Sequence, residues 1–280
     1  MTRWTETAFA KINLALHVRA RRADGYHDIE TIFAFVDAGD ELTAEVADTD
    51  SLSVKGEFGD ELSAGQDNLV LRALASMRAM MGGERIPPLA LTLEKNLPVA
   101  AGLGGGSADA AALIRLVQRA FGVGETEALV TASATLGADV GACILSQTRL
   151  GTGTGWQLED VDDADVHGLA VLLVNPRAPL ATGPVFAGWD GRDRGALPTG
   201  SALVAARGGR NDLEPPALAL VPEIDEVLAV LRAQLPILSR MSGSGASCFA
   251  LFRSIAERDA AAARMADDHP DWWLMMGAIR

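Results

Sequence analysis

The chain has 280 residues, with 24 Lys plus Arg against 37 Asp plus Glu, a formal net charge of −13, and 49% hydrophobic residues. That composition is globular, and an acidic chain with no basic block is a poor partner for a polyanion such as nucleic acid. No apolar run approaches the roughly 20 residues that span a bilayer, and the first residues lack the apolar core of a secretory signal. Cys143 and Cys248 are too few for a disulfide framework or a zinc site.

In chain order, Phe9, Ile12, Leu14, Leu16 and Val18 nearly alternate and predict a strand. Residues 19–25 read as a polar loop and 29–36 as a second strand. Ala38-Gly39-Asp40-Glu41 reads as a turn before strand-like runs at 42–46 and 52–54. Asp67-Asn68 precedes the apolar-periodic run 69–81, a predicted helix with an Asp or Asn cap, closed by Gly82-Gly83. A strand at 89–93, helices at 108–121 and 125–136, and a short apolar strand at 140–145 follow. After a second glycine-rich turn at 151–155 and an acidic run at 159–167 come a buried strand at 169–174 and a loop at 190–200. The chain closes with a helix at 222–235, a strand at 248–252, a helix at 255–265 and a strand at 272–279. Mixed strands and helices imply an α/β or α+β protein. The composition shift at 151–168 suggests two halves, 1–155 and 156–280.

The most informative stretch runs from Pro98 through Gly102-Leu103-Gly104-Gly105-Gly106-Ser107 to Ala111. A strand leads into it and a helix leaves it. Glycines let backbone approach a ligand closely, and a helix N-terminus presents unpaired N–H groups with partial positive charge. Together they suit a phosphate. No Lys follows, so it is not a P-loop, and Ser107 stands where a dinucleotide fingerprint needs its third glycine.

This loop resembles the second motif of the GHMP small-molecule kinases, P-x-x-x-G-L-G-S-S-A-A. Its three-glycine form is similar to the branch whose substrate carries a cytidine diphosphate group. Other segments resemble family motifs in the same order. Ala10-Lys11-Ile12-Asn13-Leu14 is similar to A-K-I-N-L, Asp24-Gly25-Tyr26-His27 to D-G-Y-H, and Gly137-Ala138-Asp139-Val140 to G-A-D-V. Asn211-Asp212-Leu213-Glu214 is similar to N-D-L-E and Met241-Ser242-Gly243-Ser244-Gly245 to M-S-G-S-G. Gly141 departs from the usual proline after G-A-D-V.

The resemblance implies a two-domain α+β GHMP kinase fold, with an N-terminal half like ribosomal S5 domain 2 and a C-terminal ferredoxin-like α/β sandwich. It implies Lys11 and Asp139 as the catalytic pair, Asp139 also touching the substrate hydroxyl. Pro98, Gly102, Leu103, Gly104, Gly105, Gly106 and Ser107 would bind ATP, with Asn68 near the adenine, although a helix cap explains Asn68 equally well. Asn13, Tyr26, His27, Thr182 and Phe186 would bind the substrate, with Tyr26 and Phe186 stacking on the cytosine. For Phe186, a core anchor in a proline-rich loop is an equal reading. The Asn211 segment is expected to cap a helix, and the 241–245 loop to lie against the phosphate loop. Mg2+ should accompany ATP on ligands the sequence leaves unknown. The expected protein is cytoplasmic, a monomer or weak homodimer, acting on a small molecule and on neither nucleic acid nor membrane. The rival readings are another kinase of the superfamily and a nucleotide-binding regulator without catalysis.

Overall fold

The computed structural model describes residues 2–280. Ten strands and nine helices of the described residues group into two compact units drawn from interleaved stretches of chain. Unit 1 takes the residues up to Ala10 together with Gly39–Val99 and Gly104–Ser146. Unit 2 takes Lys11–Ala38, Ala100–Leu103 and Gln147–Arg280. Two long paired strands, β1 (Arg3–Arg21) and β2 (His27–Val46), contribute to both.

In unit 1 the second half of β2 pairs antiparallel with β4 (Leu89–Glu94), Leu42 opposite Leu93, and β3 (Ser51–Lys55) joins β4 in parallel. Along β4 every second residue, Leu89, Leu91 and Leu93, is buried, the alternation of a sheet with one covered face. The helices α1 (Leu69–Met81), α2 (Gly105–Phe121), α3 (Thr126–Ser133) and α4 (Val140–Leu145) supply apolar stripes such as Val70, Ala73, Leu74 and Met77. α1 and α4 both pack on α2, and α3 packs on α4.

Two expectations fail here. Residues 38–41 continue β2 instead of turning. Gly39 is a close-approach glycine: a Cβ there would sit 1.9 Å from the Ala8 carbonyl oxygen of β1. Residues 140–145 form helix α4, not a strand. Periodicity cannot separate a buried helical turn from a buried strand over six residues. A Cβ at Gly141 would lie 3.3 Å from Val130 Cγ1, so glycine in place of proline lets α4 approach α3 closely.

In unit 2 the first half of β2 pairs with β5 (Arg149–Thr152), and β5 pairs with β6 (Gln157–Asp160). A separate antiparallel sheet has the order β10-β7-β9-β8, from β7 (Ala170–Asn175), β8 (Leu238–Met241), β9 (Cys248–Phe252) and β10 (Trp273–Ala278). The helices α8 (Glu223–Ala233) and α9 (Ile255–Asp268) pack against this sheet, so the path β7-α8-β8-β9-α9-β10 is a ferredoxin-like split βαβ arrangement. β7 is buried throughout, as expected of a central strand. Its core gathers Leu172, Val174, Leu228, Leu231, Ala250 and Phe252 with Leu16, Val18 and Ile29 from the N-terminal strands. Three short helices escaped the periodicity reading: α5 (Thr182–Ala187), α6 (Ala202–Gly208) and α7 (Glu214–Leu220). Among the described residues no helix is long and apolar enough to cross a membrane.

Candidate active site

The glycine loop ends where α2 begins. Gly104 is the N-cap in the left-handed region, φ 65°, and no side chain caps the first turn. The opening turn, Gly105-Gly106-Ser107, therefore presents backbone donors at the positive end of a 17-residue helix, on residues with little side chain to shield them. Gly106 is exposed, and a Cβ added there would meet nothing within 4 Å. Pro98 is buried in the segment leading in from β4. A Cβ at Gly137 would lie 3.9 Å from Ser107 Oγ, so the turn that carries Asp139 lies beside the start of α2. Asp139 is the N-cap residue of α4, half-buried at φ −87° and ψ −11°, and its carbonyl accepts from the Cys143 N–H at 3.0 Å. Asn68 caps α1: its Oδ1 accepts from the Val70 N–H at 3.0 Å and its Nδ2 donates to the Ser63 carbonyl at 2.9 Å.

In unit 2 the first motif forms a buried polar chain on β1. Lys11 Nζ donates to Asn13 Oδ1 at 2.9 Å, Asn13 Nδ2 donates to Thr31 Oγ1 at 2.7 Å, and Thr31 Oγ1 donates to the Ala15 carbonyl at 2.7 Å. Lys11 also lies over the Phe33 ring, 5.4 Å from its centroid. Such a chain is how a buried cation keeps one orientation. The Lys11 N–H donates to the Leu103 carbonyl at 2.9 Å, which brings the glycine loop to this strand. Ser242 of the third motif, fully buried, joins the two: its Oγ donates to the Gly102 carbonyl at 2.9 Å and accepts from the Asn13 N–H at 3.3 Å. The third motif therefore lies against the glycine loop, as the resemblance implied. Asn211 does not cap α7 as expected, since the N-cap residue there is Leu213 and no side chain caps it; it forms a turn just ahead of the helix. Its Oδ1 accepts from the Leu213 N–H, while its Nδ2 donates to the Met241 and Gly243 carbonyls at 2.9 and 2.8 Å and holds that loop.

Unit 2 also brings together an aromatic group. The His27 ring lies 5.0 Å from Phe186 and 5.8 Å, edge-on, from Trp189. Burial holds the His27 imidazole below its ordinary pKa, helped by the Arg21 cation. Arg21 Nε donates to His27 Nε2 at 3.4 Å, which leaves the ring proton on Nδ1. Tyr26 is 64% exposed, an open aromatic face next to His27 in sequence. Thr182 Oγ1 lies 3.0 Å from Ser244 Oγ, tying the start of α5 to the third motif. A flat ring, a neutral imidazole and a hydroxyl form the kind of surface that receives a heteroaromatic base.

Family profiles for the GHMP kinases N terminal domain and the GHMP kinases C terminal region match residues 68–147 and 200–271. A 4-diphosphocytidyl-2-C-methyl-D-erythritol kinase of Sphingopyxis alaskensis is 59% identical over 98% of both chains. The chain is a GHMP kinase. An enzyme of the same name from Novosphingobium aromaticivorans is 56% identical over 98% of this GHMP kinase and 92% of its own length. A crystal structure of 4-(cytidine 5'-diphospho)-2C-methyl-D-erythritol kinase superposes with a TM-score of 0.77 at 30% identity, covering 99% of both chains. Homoserine kinase of Cytophaga hutchinsonii, at 18% identity and a TM-score of 0.68 over 96% of this chain and 95% of its own, shares the fold.

The sequence reading missed two clusters in this GHMP kinase. Arg115 of α2 donates to the Cys143 carbonyl at 2.6 Å, to Ser146 Oγ at 3.1 Å and to the Thr7 carbonyl at 2.6 Å, and pairs with Glu6. It thereby holds the C-terminal end of α4, the helix that Asp139 begins. Lys95, Asp40 and Asp109 form a fully buried ion triad beneath the first turns of α2. Their positions in the chain are too far apart for any motif to join them. Both cysteines are buried.

Proposed function

We infer that this GHMP kinase transfers the γ-phosphoryl group of ATP to the 2-hydroxyl of 4-diphosphocytidyl-2-C-methyl-D-erythritol, a step of the non-mevalonate route to isoprenoid precursors. The observation that carries this reading is near-full-length identity of 59% to a relative of that name, in a chain that keeps every family motif bearing a proposed role.

The N–H groups of the loop 102–107 receive the ATP phosphates, supported by the uncapped glycine turn that opens α2. Pro98 and Leu103 shape that loop. For Asn68, helix capping is a sufficient role, since both ends of its amide are engaged within the chain. Among the described residues no cluster of three His, Cys, Asp or Glu offers a cation cage. Ser107, the hydroxyl nearest in sequence to the glycines, would be the protein group to hold Mg2+ beside the nucleotide phosphates. When bound, the ion would supply charge neutralisation on the transferring group. The substrate oxygen forms its bond to the γ-phosphorus as the bond to the β–γ bridging oxygen breaks and ADP leaves. Asp139 orients the hydroxyl and takes its proton. Lys11, fixed by Asn13, balances negative charge in the transition state. Tyr26, His27 and Phe186 receive the cytosine, and Thr182 lies close by.

The test is ADP release from ATP, Mg2+ and this substrate, with cytidine nucleotides as competitors. Asp139→Asn should lower kcat at least about a hundredfold, the usual range for losing a general base, with ATP affinity within twofold. Full turnover in Asp139→Asn would remove its assigned role. Turnover of homoserine or mevalonate, without competition by cytidine nucleotides, would replace the substrate.

A further inference from the structure

Lys95, at the exit of β4, is 2% exposed, and its two partners are equally buried. Its Nζ bonds Asp40 Oδ2 and lies 2.8 Å from Asp109 Oδ2. Asp40 Oδ1 accepts from the backbone N–H groups of Asn96 at 2.6 Å and Leu97 at 2.8 Å. One carboxylate thus fixes the segment entering the glycine loop, and the other belongs to the second turn of α2, which leaves it. The ammonium joins them. A Cβ at Gly105 would lie 3.3 Å from Lys95 Nζ and 3.8 Å from Asp40 Oδ2, so the first residue of α2 rests on the triad. A buried ammonium under the positive end of a helix opposes the helix dipole, and one carboxylate would neutralise it. Here there are two, and Asp109 Oδ1 is buried with no hydrogen-bond partner.

We propose that Lys95, Asp40 and Asp109 are positioning residues for the nucleotide, holding the segments before and after the glycine loop in register from beneath, without touching ATP. The proposal rests on the reading that the start of α2 binds phosphate. It goes beyond that reading in giving Gly105 a second duty, to admit the ammonium, and in linking the site to a proton. Burial, and the neighbouring Asp40 carboxylate, push the Asp109 carboxyl up to about 7 against the pull of Lys95. Lys95 and Asp40 are the charged groups that face it, since the buried residues of α1 and α4 packed on α2 carry no charge. The triad therefore changes from net neutral to net negative as pH rises through neutrality. An added negative charge in the second turn of α2 opposes a polyphosphate at the first.

The experiment measures KM for ATP, KM for the cytidine substrate and kcat from pH 6 to 8, at saturating Mg2+, for the parent, Lys95→Met, Asp109→Asn and Gly106→Ala. Lys95→Met should raise KM for ATP at least tenfold and change KM for the cytidine substrate less than twofold. The ratio of the parent KM for ATP to that of Asp109→Asn should rise about threefold or more across this range, a comparison that cancels the titration of ATP itself. If Lys95→Met lowers only the melting temperature and the active fraction, or that ratio stays flat, the proposal is overturned. If Lys95→Met does not fold, the Asp109→Asn ratio decides alone. If Gly106→Ala shifts KM for ATP and both triad variants leave it unmoved, the phosphate reading stands and the positioning role falls. If none of the three shifts it, the phosphate reading itself falls and takes the proposal with it.

Discussion

Gly102→Ala is the sharpest test of how the loops of this kinase are held. Gly102 has φ +77°, where a Cβ costs about 1–2 kcal/mol. The added carbon would sit 2.3 Å from the Ser242 carbonyl oxygen and 2.9 Å from the backbone N and O of Gly245, against ordinary contact at 3.4–4 Å. These neighbours are backbone, so the third motif must withdraw by about an ångström. That movement breaks the Ser242 Oγ bonds to the Gly102 carbonyl and from the Asn13 N–H, each worth about 1 kcal/mol net. The sum is about 3–4 kcal/mol. At about 2–4 °C per kcal/mol for a chain of this size, the melting temperature should fall by about 6–16 °C. Tryptophan fluorescence during a thermal ramp reads this directly. Gly106→Ala is the control, since its Cβ meets nothing within 4 Å and its φ is not positive. That variant should melt at or slightly above the parent temperature, because alanine is the better helix former. A Gly102→Ala protein that melts within about 2 °C of the parent would refute the packing argument.

Ser242→Ala removes one hydroxyl that both donates and accepts, and it leaves the Gly102 carbonyl and the Asn13 N–H buried without it. Chemical denaturation should show a loss of about 2–4 kcal/mol, and an unchanged midpoint would count against the bridging role. His17 is buried, with Nδ1 donating to the Gly195 carbonyl at 2.9 Å and Nε2 accepting from the Arg210 N–H at 3.1 Å, and desolvation foremost lowers its pKa. The unfolded chain takes up this proton more readily, so the neutral form contributes its full stability above pH about 6.5 and loses it as pH falls through the depressed folded value. Melting temperatures should therefore decline from about pH 6.5 downward. The decline should be shallower in His17→Gln, and equal slopes would contradict the assignment.

The long apolar-periodic elements were legible because burial imposes their period: helix 69–81 and strand 248–252 have the predicted bounds. Of the two cap candidates, Asp67 and Asn68, the cap is Asn68, and a cap was legible there because its partner, the Val70 N–H, is two residues away. The failures share a different cause. Gly39-Asp40 has turn chemistry, yet Gly39 is required by the Ala8 carbonyl of β1 and Asp40 by a lysine 55 residues on. Both demands are tertiary, so no local window contains them. The short helix α6 offers only seven residues to a 3.6-residue period, and β8 only four to an alternation. In the candidate site, the glycine loop, Lys11, Asn13 and Asp139 were visible as motifs. The Arg115 clamp and the Lys95 triad were not, because their partners lie on several segments.

The interleaving of the units bears on how the protein is made. The core of unit 2 includes Leu16, Val18 and Ile29, from the segment Lys11–Ala38, whereas the ferredoxin-like strands they join begin after Gln147. The 108 residues 39–146 intervene. At about 5–20 residues per second, a ribosome needs roughly 5–20 seconds to bridge that gap. Throughout it the N-terminal apolar residues lack the surface that will cover them. The nascent chain is thus a client for holding chaperones early in synthesis, and a gene split at residue 147 would yield two fragments that each leave the unit 2 core unfinished.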